Sequence, residues 1–291
     1  MQIDYSYFNP YLLFLMGAIV LYFSSNLIIS SSLSLSERYN ISKITVGVIA
    51  LALGTSLPEL FVSILAVIKG NDKIVIGNII GSNIANIGLV LGICVIIKPI
   101  ILKDKKNISF NIISLFIITF IFLLFLFNND LLKIESSILF VLLFLYLFFL
   151  IKYFSKEIQS FEVKNTNVSK TFLFLAIGFI LMYFGSNFFI NGALGIAYNL
   201  GLSDLMIGMT IIAIGTSCPE LFTTFAAIKK NEYQLALGNI IGSNIINIVV
   251  VGGFLSFIKD IQIQFDSIII HSFILLFLIL LFVFSILVLQ K

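Results

Sequence analysis

Long apolar runs, each closed by a charged or turn-forming stretch, set the pattern of this chain. A helix crosses a bilayer core with about 20 consecutive apolar residues. Nine runs approach or exceed that length: roughly 11–36, 44–68, 74–97, 108–127, 134–151, 171–198, 205–228, 235–258 and 267–290. All 17 Lys and Arg fall outside these runs or at their ends. The pattern predicts an all-α polytopic membrane protein whose surroundings are a lipid bilayer. Five runs precede the polar stretch Lys152–Lys170 and four follow it. The expected divisions are therefore 1–151, a linker at 152–170, and 171–291.

The polar positions inside the runs repeat. Ala52–Asn86 reads ALGTSLPEL…GNIIGSNIAN, and Ala213–Asn247 reads AIGTSCPEL…GNIIGSNIIN, at a constant offset of 161 residues. From Ser25/Ser186 to Gly92/Gly253 no gap is needed, and about 28 of 68 pairs are identical. Such agreement indicates internal duplication. Five spans per repeat is an odd number, so the second copy enters the membrane from the opposite side. Inverted repeats with interrupted helices at matching positions are a recurring architecture of secondary transporters, with the site near the midplane. A duplicated structural protein is the plainer alternative, but it leaves the buried acids unexplained.

Charge sets the expected orientation. With the N-terminus outside, 13 Lys and Arg are cytoplasmic and 4 are external. The positive-inside rule favours that arrangement, with the linker and C-terminus in the cytoplasm of a cell whose plasma membrane holds the protein. A chain that is 60% hydrophobic, 11% charged and of mean hydropathy +1.15 is not a soluble domain. A net charge of +3 is too small to suggest nucleic acid as a partner. Cys94 and Cys218 lie inside apolar runs, which argues against a disulfide framework or a thiolate metal site.

The chemistry centres on two acids. Of 14 Asp and Glu, only Glu59 and Glu220 sit deep within runs. A charge at the bilayer centre costs about 2.5–3.5 kcal/mol even on the lenient insertion scale. No Lys, Arg or His shares their runs, so protons or bound cations must neutralise them. Oxygen donors surround both: Thr55 and Ser56 before Glu59, Thr216 and Ser217 before Glu220, and the pairs Ser82/Asn86 and Ser243/Asn247 on the following spans. Neutral oxygens around two carboxylates suit a hard cation such as Ca²⁺, which takes six to eight oxygens at about 2.3–2.6 Å. Na⁺ accepts the same kind of shell. Pro58 and Pro219 lack an N–H and are expected to free carbonyls near Ala52–Thr55 and Ala213–Thr216. Two carboxylates balance one Ca²⁺ or two Na⁺. Ions competing for them at an alternately exposed site would be exchanged.

These paired segments closely resemble the two alpha repeats of the cation/calcium antiporter superfamily, within it the prokaryotic members of the sodium/calcium exchanger family. The resemblance covers both repeats and most spans. It implies that Glu59 and Glu220 are shared ligands for Ca²⁺ and Na⁺, with the Thr55 and Thr216 carbonyls completing the calcium site. It implies a sodium site toward the cytoplasm from Ser56, Ser82 and the Ala52 carbonyl, and one toward the outside from Ser217, Ser243 and the Ala213 carbonyl. Asn86 and Asn247 would line the middle, and the long first and sixth helices would slide as gates. The implied activity is electrogenic exchange of about three Na⁺ for one Ca²⁺, with no cofactor and no enzymatic step. Potassium-dependent relatives carry aspartate where this chain has Asn247, so potassium dependence is not expected. Relatives have ten spans where nine are read here. A Ca²⁺/H⁺ antiporter on the same scaffold is the alternative. A channel, or an intramembrane protease, fits the donor set less well. The pattern does not fix the oligomeric state, and a monomer is compatible with it.

Overall fold

The structure, a computed structural model, describes residues 8–68, 70, 72–99, 104–154, 168–201, 213–255, 260–262 and 265–288. Helix α1 (Pro10–Tyr39) starts where the Asn9 side chain accepts the N–H groups of Tyr11 and Leu12, at 2.9 and 3.3 Å. Pro10 follows at the position where a missing N–H costs nothing. The helix closes on Asn40 in the left-handed region, φ 51°, a conformation asparagine tolerates. The second span is two helices, α2 (Lys43–Thr55) and α3 (Leu57–Ile68), bent by 44° across Ser56. Then come α4 (Asp72–Ile97), α5 (Lys105–Leu126), α6 (Lys133–Phe154) and α7 (Val168–Asn199). The short α8 (Ala213–Thr216) precedes α9 (Cys218–Lys229), α10 (Tyr233–Gly253) and α11 (Phe265–Val288).

The helices match eight of the nine expected spans closely. The start of the seventh, 205–212, lies outside the described residues, as do 256–258 of the eighth, 289–290 of the ninth and 155–167 of the expected linker. Both edges of that linker are helical, since α6 reaches Phe154 and α7 begins at Val168.

The inversion is visible in packing. A Cβ added to Gly17 of α1 would meet the Phe189 nitrogen of α7 at 2.3 Å. A Cβ on Gly178 of α7 would meet the Ile28 side chain of α1 at 2.6 Å. Residues 17 and 178 are equivalent between repeats, and so are 28 and 189. The two contacts are images of each other. As numbers rise along α1 the facing numbers fall along α7, so equivalent helices run in opposite directions. In lipid, helices gain nothing from burying apolar area and hold together by close van der Waals contact, which small residues permit.

Helix α10 is almost entirely buried, whereas about half of α4 is. Ile76, Ile79, Ile80, Ile240, Ile241 and Ile245 of these helices pack with α5, α6 and α11 in the larger core. The outer wall is apolar: Ile96 is 85% exposed, and Phe144 and Phe277 are also exposed. Such a continuous surface would aggregate in water, but it suits hydrocarbon. Away from the centre, a polar chain ties the start of α2 to α5 and α6. Asn107 donates to Ser42 Oγ at 3.3 Å, Asn111 donates to Asn107 Oδ1 at 2.8 Å, and the Tyr146 hydroxyl donates to Asn111. Each polar group there has a partner, as a low-dielectric interior requires.

One feature departs from the purely α expectation. Residues Asp130–Leu131 (β1) and Ile261–Gln262 (β2) form a two-residue antiparallel ladder, Asp130 opposite Gln262. It joins the turn after α5 to the turn before α11. The Asp72 carboxylate accepts the Gln262 N–H at 3.1 Å, and Asn129 Oδ1 accepts the Phe265 N–H at 2.8 Å. Runs this short carry no period-2 signal, which is why the sequence does not show them.

Candidate cation-binding site

Both interruptions fall on serine. Ser56 has φ −84° and ψ 5°, and Ser217 has φ −87° and ψ 7°. A new helix begins immediately after each, with Pro58 and Pro219 in its first turn, where no N–H is needed. The prolines therefore restart helices, and the chain breaks two residues before them rather than around Gly54 and Gly215. Glu59 and Glu220 occupy the first turns of α3 and α9. The positive end of a helix dipole favours a carboxylate there. Wide turns at Gly47–Leu51, Ala85–Leu91 and Asn247–Gly253 interrupt α2, α4 and α10. Such turns are frequent at functional sites because they displace backbone groups from their usual partners.

These breaks bring residues of both repeats together. Glu59 and Glu220 are 1% and 0% exposed and lie within electrostatic reach of each other. Ser56 Oγ donates to Glu220 Oε1 at 3.3 Å. The Thr55 hydroxyl contacts Ser243 Oγ and Asn239 Oδ1, each at 3.2 Å, on α10. Ser82, Asn86, Asn247, Thr216 and Ser217 are all buried. The Ala52 carbonyl accepts the Ser56 N–H at 3.0 Å, and Ala213 opens α8. Among the described residues, the serine side chains expected to form the two sodium sites do not hydrogen-bond to one another: the Ser56 hydroxyl reaches Glu220 rather than Ser82, and the Ser243 hydroxyl reaches Thr55 rather than Ser217.

Buried polar atoms are ordinarily paired, and here they are not. Both Glu59 carboxylate oxygens, Glu220 Oε2, Ser217 Oγ, both Asn86 amide atoms and Asn247 Oδ1 have no hydrogen-bond partner among the described residues. Nearly all of these are oxygens. Among the described residues no group of three or more His, Cys, Asp or Glu is placed to hold a metal, so any cation here would be held by two carboxylates and neutral oxygens. That donor set suits a hard cation.

Sequence reasoning missed four asparagines. Asn78 Nδ2 donates to Ser63 Oγ at 2.9 Å, and Asn239 Nδ2 donates to Thr224 Oγ1 at 3.2 Å. These contacts are again images of each other. Asn83 and Asn244 are fully buried beside them. All four stand inside the duplicated GNIIGSN segments, so their identity in both copies was the available signal.

Comparison with known proteins agrees with this geometry. The family described as sodium/calcium exchanger protein matches residues 9–152 and 170–290. This chain belongs to the sodium/calcium exchanger family. It is 39% identical over 236 residues to an uncharacterised membrane protein of Methanocaldococcus jannaschii, covering 81% of this chain and 77% of that one. The sodium/calcium exchanger MaX1 of Methanosarcina acetivorans is 28% identical over 286 residues, covering 84% and 81%. The solved structure of the sodium-calcium exchanger NCX_Mj soaked with 2.5 mM Na⁺ and 0.1 mM Sr²⁺ superposes with a TM-score of 0.83 at 34% identity, covering 95% of this chain and 90% of that one. The inverted-repeat antiporter fold read from the sequence is therefore that of a multi-pass membrane cation exchanger.

Proposed function

We propose that this chain exchanges Na⁺ for Ca²⁺ at one site shared by its two repeats. The observation that carries the reading is the pair of buried carboxylates, one from each repeat, with oxygens unpartnered among the described residues and no basic residue within the runs 44–68 and 205–228. Glu59 and Glu220 are the common ligands. The Thr55 and Thr216 carbonyls complete the calcium shell. Ser56, Ser82 and the Ala52 carbonyl serve one sodium site, and Ser217, Ser243 and the Ala213 carbonyl serve the other. Asn86 and Asn247 face the centre. One Ca²⁺ or two Na⁺ neutralise the acids, and a third Na⁺ makes the exchange electrogenic. Helices α1 and α7 slide as a pair past the fixed core. The N-terminus is outside, and residues 152–170 and the C-terminus are cytoplasmic.

Proteoliposomes loaded with Na⁺ and diluted into sodium-free buffer, with pH and voltage clamped, test the counter-ion. Uptake of ⁴⁵Ca²⁺ that needs internal Na⁺ supports the proposal. Uptake driven only by a pH gradient overturns it in favour of Ca²⁺/H⁺ exchange. A second expected result concerns Asn247→Asp. A third carboxylate changes the charge that the cargo must balance, so the cation or pH dependence of uptake shifts while the yield of folded protein does not. Unchanged ion dependence would remove Asn247 from the site.

A further inference from the structure

Asn83 and Asn244 have no assigned role, yet they sit at the contact between α4 and α10. Asn83 Nδ2 donates to the main-chain carbonyl of Asn244 at 3.3 Å. A carbonyl only accepts, so this contact fixes which way the Asn83 amide faces. Its Oδ1 is thereby turned to Asn247, whose Nδ2 donates to it at 3.3 Å. The orientation of Asn247 follows. Its nitrogen is committed to Asn83, and its Oδ1 is left buried with no partner among the described residues. An amide oxygen presented this way attracts a cation, whereas an amide NH₂ in its place would repel one.

We infer that Asn83 is a positioning residue that holds the Asn247 oxygen toward the transported cation. The inference rests on the shared-site reading above and adds the residue that makes a neutral asparagine serviceable there.

The internal symmetry gives a second, independent observation. Exchanging the repeats maps the Asn247–Asn83 bond onto one between Asn86 and Asn244. That bond is open. Asn244 Oδ1, the acceptor in that image, and both Asn86 amide atoms have no partner among the described residues, while Asn244 Nδ2 donates to the Ile240 carbonyl of its own helix at 2.9 Å. The acids show the same bias. Ser56 Oγ donates to Glu220, while the equivalent Ser217 Oγ, and both Glu59 carboxylate oxygens, have no partner among the described residues. One of two equivalent clamps is closed and the other open.

The test is Ca²⁺ affinity of the purified full chain, measured by calorimetry for Asn83→Leu in two backgrounds. In the wild-type background the Asn247 amide loses its guide, and the Kd is expected to rise about tenfold. In an Asn247→Asp background the side chain ends in two equivalent oxygens, so orientation no longer matters, and Asn83→Leu is expected to change the Kd by less than about twofold. An equal rise in both backgrounds would assign Asn83 a merely structural role and overturn the inference. An unchanged Kd in the wild-type background would do the same. Wild-type protein that binds no Ca²⁺ would overturn the shared-site reading and this inference with it. Should the leucine variant fail to give monodisperse protein, Asn83→Ser supplies the same comparison, since its hydroxyl stops short of the 3.3 Å contacts, and the same background dependence decides.

Discussion

Replacing Glu59 with Gln, or Glu220 with Gln, is expected to abolish sodium-dependent ⁴⁵Ca²⁺ uptake while leaving folded protein in the membrane. The amide keeps the volume and one acceptor oxygen of the carboxylate. It removes one of the two negative charges available to a divalent ion. Removing one partner from a buried charge pair typically costs about 3–5 kcal/mol. At about 1.4 kcal/mol per tenfold, this is roughly two to three orders of magnitude or more in affinity. Stability should move the other way or not at all, because an unneutralised buried carboxylate is costly to the folded chain. Both carboxylate oxygens of Glu59 lack partners among the described residues, so Glu59→Gln breaks no hydrogen bond made there. Glu220→Gln retains an acceptor for Ser56. Uptake at the wild-type rate in either variant, with equal protein in the vesicles, would detach these acids from transport.

Gly238→Ala is expected to lower thermal stability and to lose transport along with it. The added Cβ would lie 2.4 Å from the Ile44 carbonyl oxygen and 3.0 Å from Gly47 Cα. Both are backbone atoms of the neighbouring span, so no side chain can swing aside. Overpacking of this kind costs about 1–3 kcal/mol and sometimes more. At about 2–4 °C per kcal/mol for a domain of 150–250 residues, the Tm of detergent-solubilised protein should fall by roughly 2–12 °C. The same wedge pushes α10 away from α2 and opens the contacts from Thr55 to Ser243 and Asn239 that knit the repeats together. Gly92→Ala is the control. A Cβ there meets nothing within 4 Å among the described residues, and its Tm should match the wild type. An equal effect of the two substitutions would show that the close approach of α10 to α2 is not what holds the centre.

The duplication makes the main architecture legible in the sequence. A 161-residue offset and an odd number of spans imply inversion, and the Gly17–Phe189 and Gly178–Ile28 contacts display it. Glu59 and Glu220 are legible because a charge deep in an apolar run is costly and so demands a reason. Other features are hidden for physical reasons. Proline is a strong punctuation signal, yet it marks where a helix restarts, so it does not by itself locate the break at Ser56 and Ser217. Hydrogen bonds that cross from one repeat to the other, such as Thr55 to Ser243 or Ser56 to Glu220, depend on how α2 and α10 are brought together. Periodicity within one run says nothing about that. Asn78, Asn83, Asn239 and Asn244 read as helix-packing polar residues in one dimension. Only their hydrogen bonds, Asn78 to the Glu59 carbonyl, Asn239 with Thr55, Asn83 with Asn247 and with the Asn244 carbonyl, separate them from the many serines of α1, several of which donate to carbonyls of their own helix.

The central claim is that two inverted repeats contribute one carboxylate each to a single cation site. Equilibrium dialysis of the purified chain against ⁴⁵Ca²⁺, with and without Na⁺, tests it most directly. The expected result is one Ca²⁺ bound per chain, displaced by Na⁺ with a Hill slope above one, and lost in Glu59→Gln and Glu220→Gln alike. Two Ca²⁺ per chain, each surviving the loss of the other repeat's glutamate, would contradict it and leave two separate sites in place of a shared one.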